Sequence, residues 1–216
     1  MKISILCSSK EHPVYKTLVE WQKNHIHEHE IELIQLSHEL SGGDILFLIS
    51  CNELINKDIR DRYKATLVIH ASNLPEGRGW SPHIWQIVMG KNTITVTLLE
   101  AEDKLDRGAI WSQRELTLEG HELYDEINNN LFTLEIELMD FAIANFYTIV
   151  PKPQSDKEST YFTKRTPNDS RIDPEKTILE QFDLLRVADP ARFPAFFDLR
   201  GYRYLIKIEK TDVGGA

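Results

Sequence analysis

The chain has 216 residues, 41% of them apolar, and its 34 Asp and Glu against 25 Lys and Arg give a formal net charge of -9. A chain of this length buries a full core without metal or disulfide staples, and its acidity argues against nucleic-acid partners, which are held by basic surfaces that neutralise phosphates. Cys7 and Cys51 sit in apolar runs, as buried reduced thiols of a cytoplasmic protein do. No apolar stretch approaches the roughly 20 residues needed to cross a bilayer, and Met1-Lys2 leads straight into a strand, so neither a membrane nor a signal peptide is expected.

In chain order, residues 3–7, 31–36, 45–49 and 65–70 read as buried strands. Val14, Leu18 and Trp21 mark one helical face between the first two. This βαβ pattern predicts a doubly wound, mostly parallel α/β sheet. His25, His27 and His29 alternate but lack the spacing of a metal site and read as exposed loop residues; no metal is expected. Ser81-Pro82 opens a short helix with Ile84, Trp85 and Val88 inward, and residues 93–99 alternate as a strand.

Between Glu115 and Val150 lie eight acids and no Lys or Arg. Leu123, Ile127, Leu131, Leu134, Leu138 and Phe141 recur at helical spacing, so this is the longest predicted helix, with its acids on a solvated face. Past Val150, Pro151, Pro153, Ser155, Asp156 and Ser159 read as a linker. Asp173-Pro174 then predicts a helix over 174–187, and Arg200-Gly201 a hairpin turn between strands 193–199 and 202–208. The organisation expected is a domain over 1–150, a small helix-plus-hairpin subdomain over 151–212 and a flexible tail over 213–216.

The densest chemical signal is His70-Ala-Ser72-Asn73-Leu74-Pro75-Glu-Gly77-Arg78-Gly79-Trp80-Ser-Pro82. A histidine at the C-terminal end of a parallel strand stands where open α/β sheets bind ligands. Arg78, between two glycines, has the donors to meet an anion. A second polar cluster, Glu100 to Gly108, holds four acids that could each pair with the histidine. No Gly-rich nucleotide fingerprint follows the first strand, where Cys7-Ser8-Ser9-Lys10 stands instead.

The spacing His70-x-Ser72-x-Leu74-Pro75-x-x-Arg78-Gly79-x-x-Pro82, followed by Asp106-x-Gly108-x-Ile110, resembles the N10-formyltetrahydrofolate-dependent formyltransferases. Residues 161–173 and 185–190 look like the C-terminal region of the same family, and the likeness covers most of residues 44–205. It implies a formyltransferase-like fold and attack of an amine on the formyl carbon. His70 would stabilise the tetrahedral intermediate and assist proton transfer, with Asp106 orienting it. The family's asparagine two residues before the histidine is Val68 here. Either Asn73 supplies an amide to the oxyanion from the following turn, or backbone N–H groups and His70 suffice. The resemblance places the folate co-substrate on Ser50, Cys51, Asn52, Glu53 and Leu54 and on Ala101, Glu102, Asp103 and Leu105.

Among acceptors, glycinamide ribonucleotide is disfavoured because Ser8-Ser9-Lys10 replaces a Gly-Ser-Asn phosphate loop. Transfer RNA is disfavoured because residues 152–212 carry 12 bases against 11 acids and are too few for a basic tRNA-binding barrel. The wording around the site is most similar to sugar-nucleotide N-formyltransferases of the pseudaminic acid type, whose acceptor is UDP-linked 4-amino-4,6-dideoxy-N-acetyl-altrosamine. In that likeness Ser8, Ser9, Arg78, Trp80, Lys164 and Arg165 meet the nucleotide-linked amino sugar, and a homodimer through the C-terminal region is a family-level expectation. The alternatives are a folate- or nucleotide-binding module with little turnover, and transfer to a different amine.

Overall fold

The computed structural model describes residues 1–155 and 158–211; the tail expected over 213–216 lies outside them. One sheet has the order β2-β1-β3-β4-β6-β7. Its parallel half comprises β1 (Lys2–Leu6), β2 (Glu30–Ile34), β3 (Gly43–Leu48) and β4 (Tyr63–His70). β6 (Thr93–Glu100) runs antiparallel to β4, and β7 (Ile110–Thr117) antiparallel to β6. The expected mostly parallel α/β sheet is therefore present. β7 is an element that the sequence pattern did not announce, because only Trp111, Leu116 and half-buried Ile110 and Ser112 point inward along it.

Both faces of the sheet are covered. On one, Ile3, Ile5, Ile45, Phe47 and Leu67 meet α1 (Val14–His25) and α4 (Tyr124–Asn145) through Leu18, Trp21, Leu131 and Leu138. On the other, Leu6, Leu46, Leu48 and Val68 gather with Leu40, Ile55 and Tyr63. Alternation along each strand sends successive residues to opposite faces, so the strands are apolar on both, with buried Ser4 satisfied by Glu32 and Tyr63. The short helix α2 (Lys57–Arg60) follows β3.

The carboxylates of α4 lie on its solvated face, opposite the buried stripe of Ile127, Leu131, Leu138 and Ala142, with one exception. One oxygen of Glu135 is enclosed without a partner.

β5 (Arg78–Gly79) pairs in parallel with β8 (Tyr161–Phe162), beside α3 (Pro82–Val88). The expected linker after Val150 thus leads back across the turn that follows β4. α5 spans Ile178–Arg186, so the predicted start at Pro174 is corrected. Thr177 and Glu180 form the reciprocal cap, whereas Asp173 accepts from the Glu175 N–H and closes a turn. β9 (Ala195–Leu199) and β10 (Tyr202–Ile206) form the predicted hairpin. Arg200 and Gly201 both adopt positive φ, 52° and 85°, as a two-residue hairpin turn requires.

Candidate active site

β4 ends on His70, which is 6% exposed. Its register partner is Thr97 on β6, whose partner is Gln113 on β7, so the three side chains share one cross-strand row. His70 Nε2 lies 2.8 Å from the Gly77 carbonyl. A carbonyl only accepts, so this nitrogen carries a hydrogen. Nδ1 then faces Asp106 Oδ1 at 3.7 Å. Of the four acids that the sequence left open as partners, the fold brings Asp106 to the imidazole.

Asp106 has a positive φ of 55°, a conformation that costs a non-glycine residue about 1–3 kcal/mol unless its surroundings hold it. Here they do. Its Oδ2 accepts from the Gly79 N–H at 2.9 Å, and its carbonyl accepts from Arg78 Nε at 3.0 Å and Gln154 Nε2 at 2.8 Å. Gly108 lets the loop return against β6: a β-carbon there would stand 1.8 Å from the Glu100 carbonyl oxygen. Gly79 plays the same part beneath β8, where a β-carbon would stand 2.3 Å from the Phe162 oxygen.

The remaining sequence-predicted residues separate into inward and outward groups. Arg78 is 6% exposed and turned inward. Its three donor nitrogens meet the Asp106 carbonyl, the Tyr161 hydroxyl and Gln154 Oε1, so in this arrangement it braces the site instead of reaching for an anion. Arg165 is likewise held, by the Asp169 carbonyl and the Ser170 hydroxyl. Trp80 and Lys164 do reach solvent together, with Nζ 4.7 Å from the ring centroid. Trp85 packs as expected, stacked on Phe162 and donating to the Thr163 carbonyl. Asn73 is exposed and its Oδ1 accepts from Gln113 Nε2 at 3.3 Å, which ties it to the row containing His70. Val68 remains in the apolar cluster beside Leu48.

Ser8 Oγ accepts from the Asn52 N–H at 2.9 Å, joining the turn after β1 to the predicted donor loop after β3. Ser9 Oγ accepts from the Glu11 N–H within its own turn. Ser50 takes a positive φ of 50°, the Cys51 thiol donates to the Glu53 carbonyl at 3.4 Å, and the Glu53 carboxylate accepts from Ser37. Leu54 and Leu105 are 69% and 52% exposed, one on each predicted donor loop. Ala101, Glu102 and Asp103 line an open groove of about 380 Å³ with Lys57, Arg60 and Lys104, and Asp103 pairs with Arg60.

Sequence reasoning missed the segment that crosses the site. Lys152 bridges to Ile110, Thr160 accepts from the Gly77 and Arg78 N–H groups, and Gln154 joins Arg78 to the Asp106 loop. The alternation of Pro151 and Pro153 was the available signal, since it stiffens an extended strand as readily as it marks a linker. The Tyr161 hydroxyl accepts from Arg78 and from Arg107 at 3.0 Å, and hydrogen bonds from Arg78, Ser159 and Arg107 draw the phenol down to about 8. Burial holds His12 and His83 near 4. Among the described residues no three metal-ligating side chains converge, and no helix is long and apolar enough to cross a membrane.

Residues 3–143 match the Formyl transferase family. A methionyl-tRNA formyltransferase of Rickettsia bellii is 33% identical over 131 residues, 60% of this chain and 43% of that protein. The chain spans about half the length of the curated relatives it matches. Among solved structures, a methionyl-tRNA formyltransferase from Clostridium thermocellum superposes with a TM-score of 0.83 at 22% identity, over 100% of this chain and 95% of that one. A sugar N-formyltransferase from Shewanella sp. gives 0.72 at 17%, over 99% of each. HypX from Aquifex aeolicus in complex with tetrahydrofolic acid gives 0.74 at 22%, over 95% of this chain and 37% of that one.

Proposed function

Because the chain belongs to the formyl transferase family, we propose that it is an N-formyltransferase that moves a formyl group from N10-formyltetrahydrofolate to the amine of a nucleotide-linked amino-deoxy sugar. A UDP-linked 4-amino-4,6-dideoxy sugar of the pseudaminic acid type is the acceptor that the sequence resemblance favours. Leu54 and Leu105, one on each donor loop, are exposed apolar side chains available to a planar heteroaromatic ring, and main-chain groups of the loops would meet its polar edge. N10-formyltetrahydrofolate supplies the electrophilic formyl carbon. His70 and Asp106 take up the proton that the amine loses and pass it to the folate N10 as its bond to the formyl carbon breaks, with Nε2–H as a donor to developing negative charge once it leaves the Gly77 carbonyl. Asn73, its Oδ1 engaged by Gln113, has its Nδ2 donors left to offer. Trp80 and Lys164 form the exposed aromatic and cationic pair suited to a ring and a phosphate.

The observation that carries the choice of acceptor is the charge pairing of the C-terminal region. Arg171 and Arg203 pair with Asp198, Arg186 with Asp183 and Arg192 with Asp189. Arginines bound to carboxylates of their own chain are poor partners for an RNA backbone. Methionyl-tRNA is the second reading, favoured by the names of the curated relatives. Incubation with N10-formyltetrahydrofolate and a panel of UDP- and dTDP-amino sugars, with methionyl-tRNA in parallel, separates the readings by mass spectrometry. One formyl gained by an amino sugar supports the first, formylmethionyl-tRNA the second, and binding without transfer a module that does not turn over.

A further inference from the structure

Gln154 follows Pro153 and the Lys152–Ile110 bridge, ahead of the strand β8 that pairs with the turn after β4. Its carboxamide contacts two separate elements at once. Oε1 accepts from Arg78 Nη2 at 2.6 Å, and Nε2 donates to the carbonyls of Asp106 at 2.8 Å and Gly108 at 3.0 Å. A carboxamide is matched to this place, because one end must accept from a cation while the other donates to two carbonyls.

The first of those two carbonyls belongs to the loop residue held in a left-handed conformation, and the second lies two residues further along the same loop. Asp106 is left-handed at φ 55° and must also keep Oδ1 facing His70 at 3.7 Å. Arg78 reaches the same Asp106 carbonyl through Nε, so Gln154 and Arg78 grip one oxygen together and each other directly.

We propose that Gln154 is a positioning residue for formyl transfer, setting the Asp106 loop against His70 without touching the reacting groups. The inference rests on reading His70 and Asp106 as the reacting pair. Loss of the Nε2 contacts frees the loop toward an unstrained backbone and widens the gap to the imidazole, while the donor and acceptor surfaces stay in place. Displacement of a reacting group by about 1 Å lowers turnover by roughly a hundredfold.

Two variants separate the arms of the carboxamide. Gln154→Glu keeps an acceptor for Arg78 but sets a carboxylate oxygen against the two carbonyls, whereas Gln154→Met removes both contacts. Both are assayed in the full chain for kcat and for KM of N10-formyltetrahydrofolate and of the acceptor. The His70 ring is followed by NMR in protein carrying labelled histidine, its signals assigned with His70→Ala and folding checked by thermal melting. The expected result is a kcat loss of about 10- to 100-fold in both variants, KM values within about twofold of wild type, and displaced His70 signals. Wild-type kcat in Gln154→Glu, or a loss confined to the KM of either substrate, would overturn the proposal. If wild-type protein formylates no acceptor, it is the proposed function that fails. The NMR arm then decides alone, and unchanged His70 signals in both variants dismiss the positioning role.

Discussion

His70 donates its Nε2 hydrogen to the Gly77 carbonyl at 2.8 Å, which leaves Nδ1 as the nitrogen that answers to Asp106. The turn after β4 thereby sets the tautomer of the histidine ending that strand, and the loop after β6 supplies the carboxylate. Asp106→Asn keeps an oxygen for the Gly79 N–H while removing the charge opposite Nδ1. Turnover is expected to fall by about 10²- to 10⁴-fold, with little change in melting temperature. Steady-state kinetics at saturating donor check this, and turnover close to wild type in this variant would remove Asp106 from the chemistry.

Asn73 and Val68 form a pair of tests for the oxyanion donor. With its Oδ1 held by Gln113, the Asn73 amide hydrogens are available. Asn73→Ala is expected to lower kcat by roughly 10- to 100-fold, below the loss seen for enclosed oxyanion donors because Asn73 is exposed. Adding Val68→Asn, which puts an amide on the His70 face of β4, should recover part of that loss. Unchanged kcat in Asn73→Ala would assign the role to backbone groups and His70.

Gly108→Ala tests the close return of the Asp106 loop. Its β-carbon would meet the Glu100 carbonyl at 1.8 Å, a backbone contact that no rotamer relieves. Destabilisation of about 4 kcal/mol or more is expected, a fall in melting temperature of roughly 10 °C for a chain of this size. Scanning calorimetry reads it directly, and an unaltered melting curve would mean that the loop has another route back to β6.

Glu135 predicts a pH dependence of stability. Burial pushes its carboxyl from 4.5 up to about 8, so folding favours the protonated form. Its contribution is fully present below about 4.5 and is lost as pH rises through 8. Glu135→Gln removes that dependence. The variant should melt like wild type near pH 4.5 and progressively higher than wild type toward pH 8.5, by about 3–6 °C for ~1–2 kcal/mol. Parallel melting-temperature shifts at both pH values would contradict a buried neutral carboxyl.

The parallel strands, the long acidic helix, the hairpin turn at Arg200-Gly201 and the histidine at the end of β4 were all legible in the sequence. Each depends on local pattern: apolar runs, helical spacing, or turn residues that tolerate positive φ. The spacing of His70 and Asp106 carried the family resemblance for the same reason, since a motif is a local record of a shared site. The sequence alone could not choose Asp106 among four neighbouring acids, turn Arg78 inward, or recognise Gln154 across a stretch that reads as a linker. Those outcomes depend on which donors and acceptors meet when segments some 30 to 80 residues apart are packed together. Buried polar groups must find partners. Only the assembled sheet, with β8 laid along the turn after β4, determines which partners are within reach.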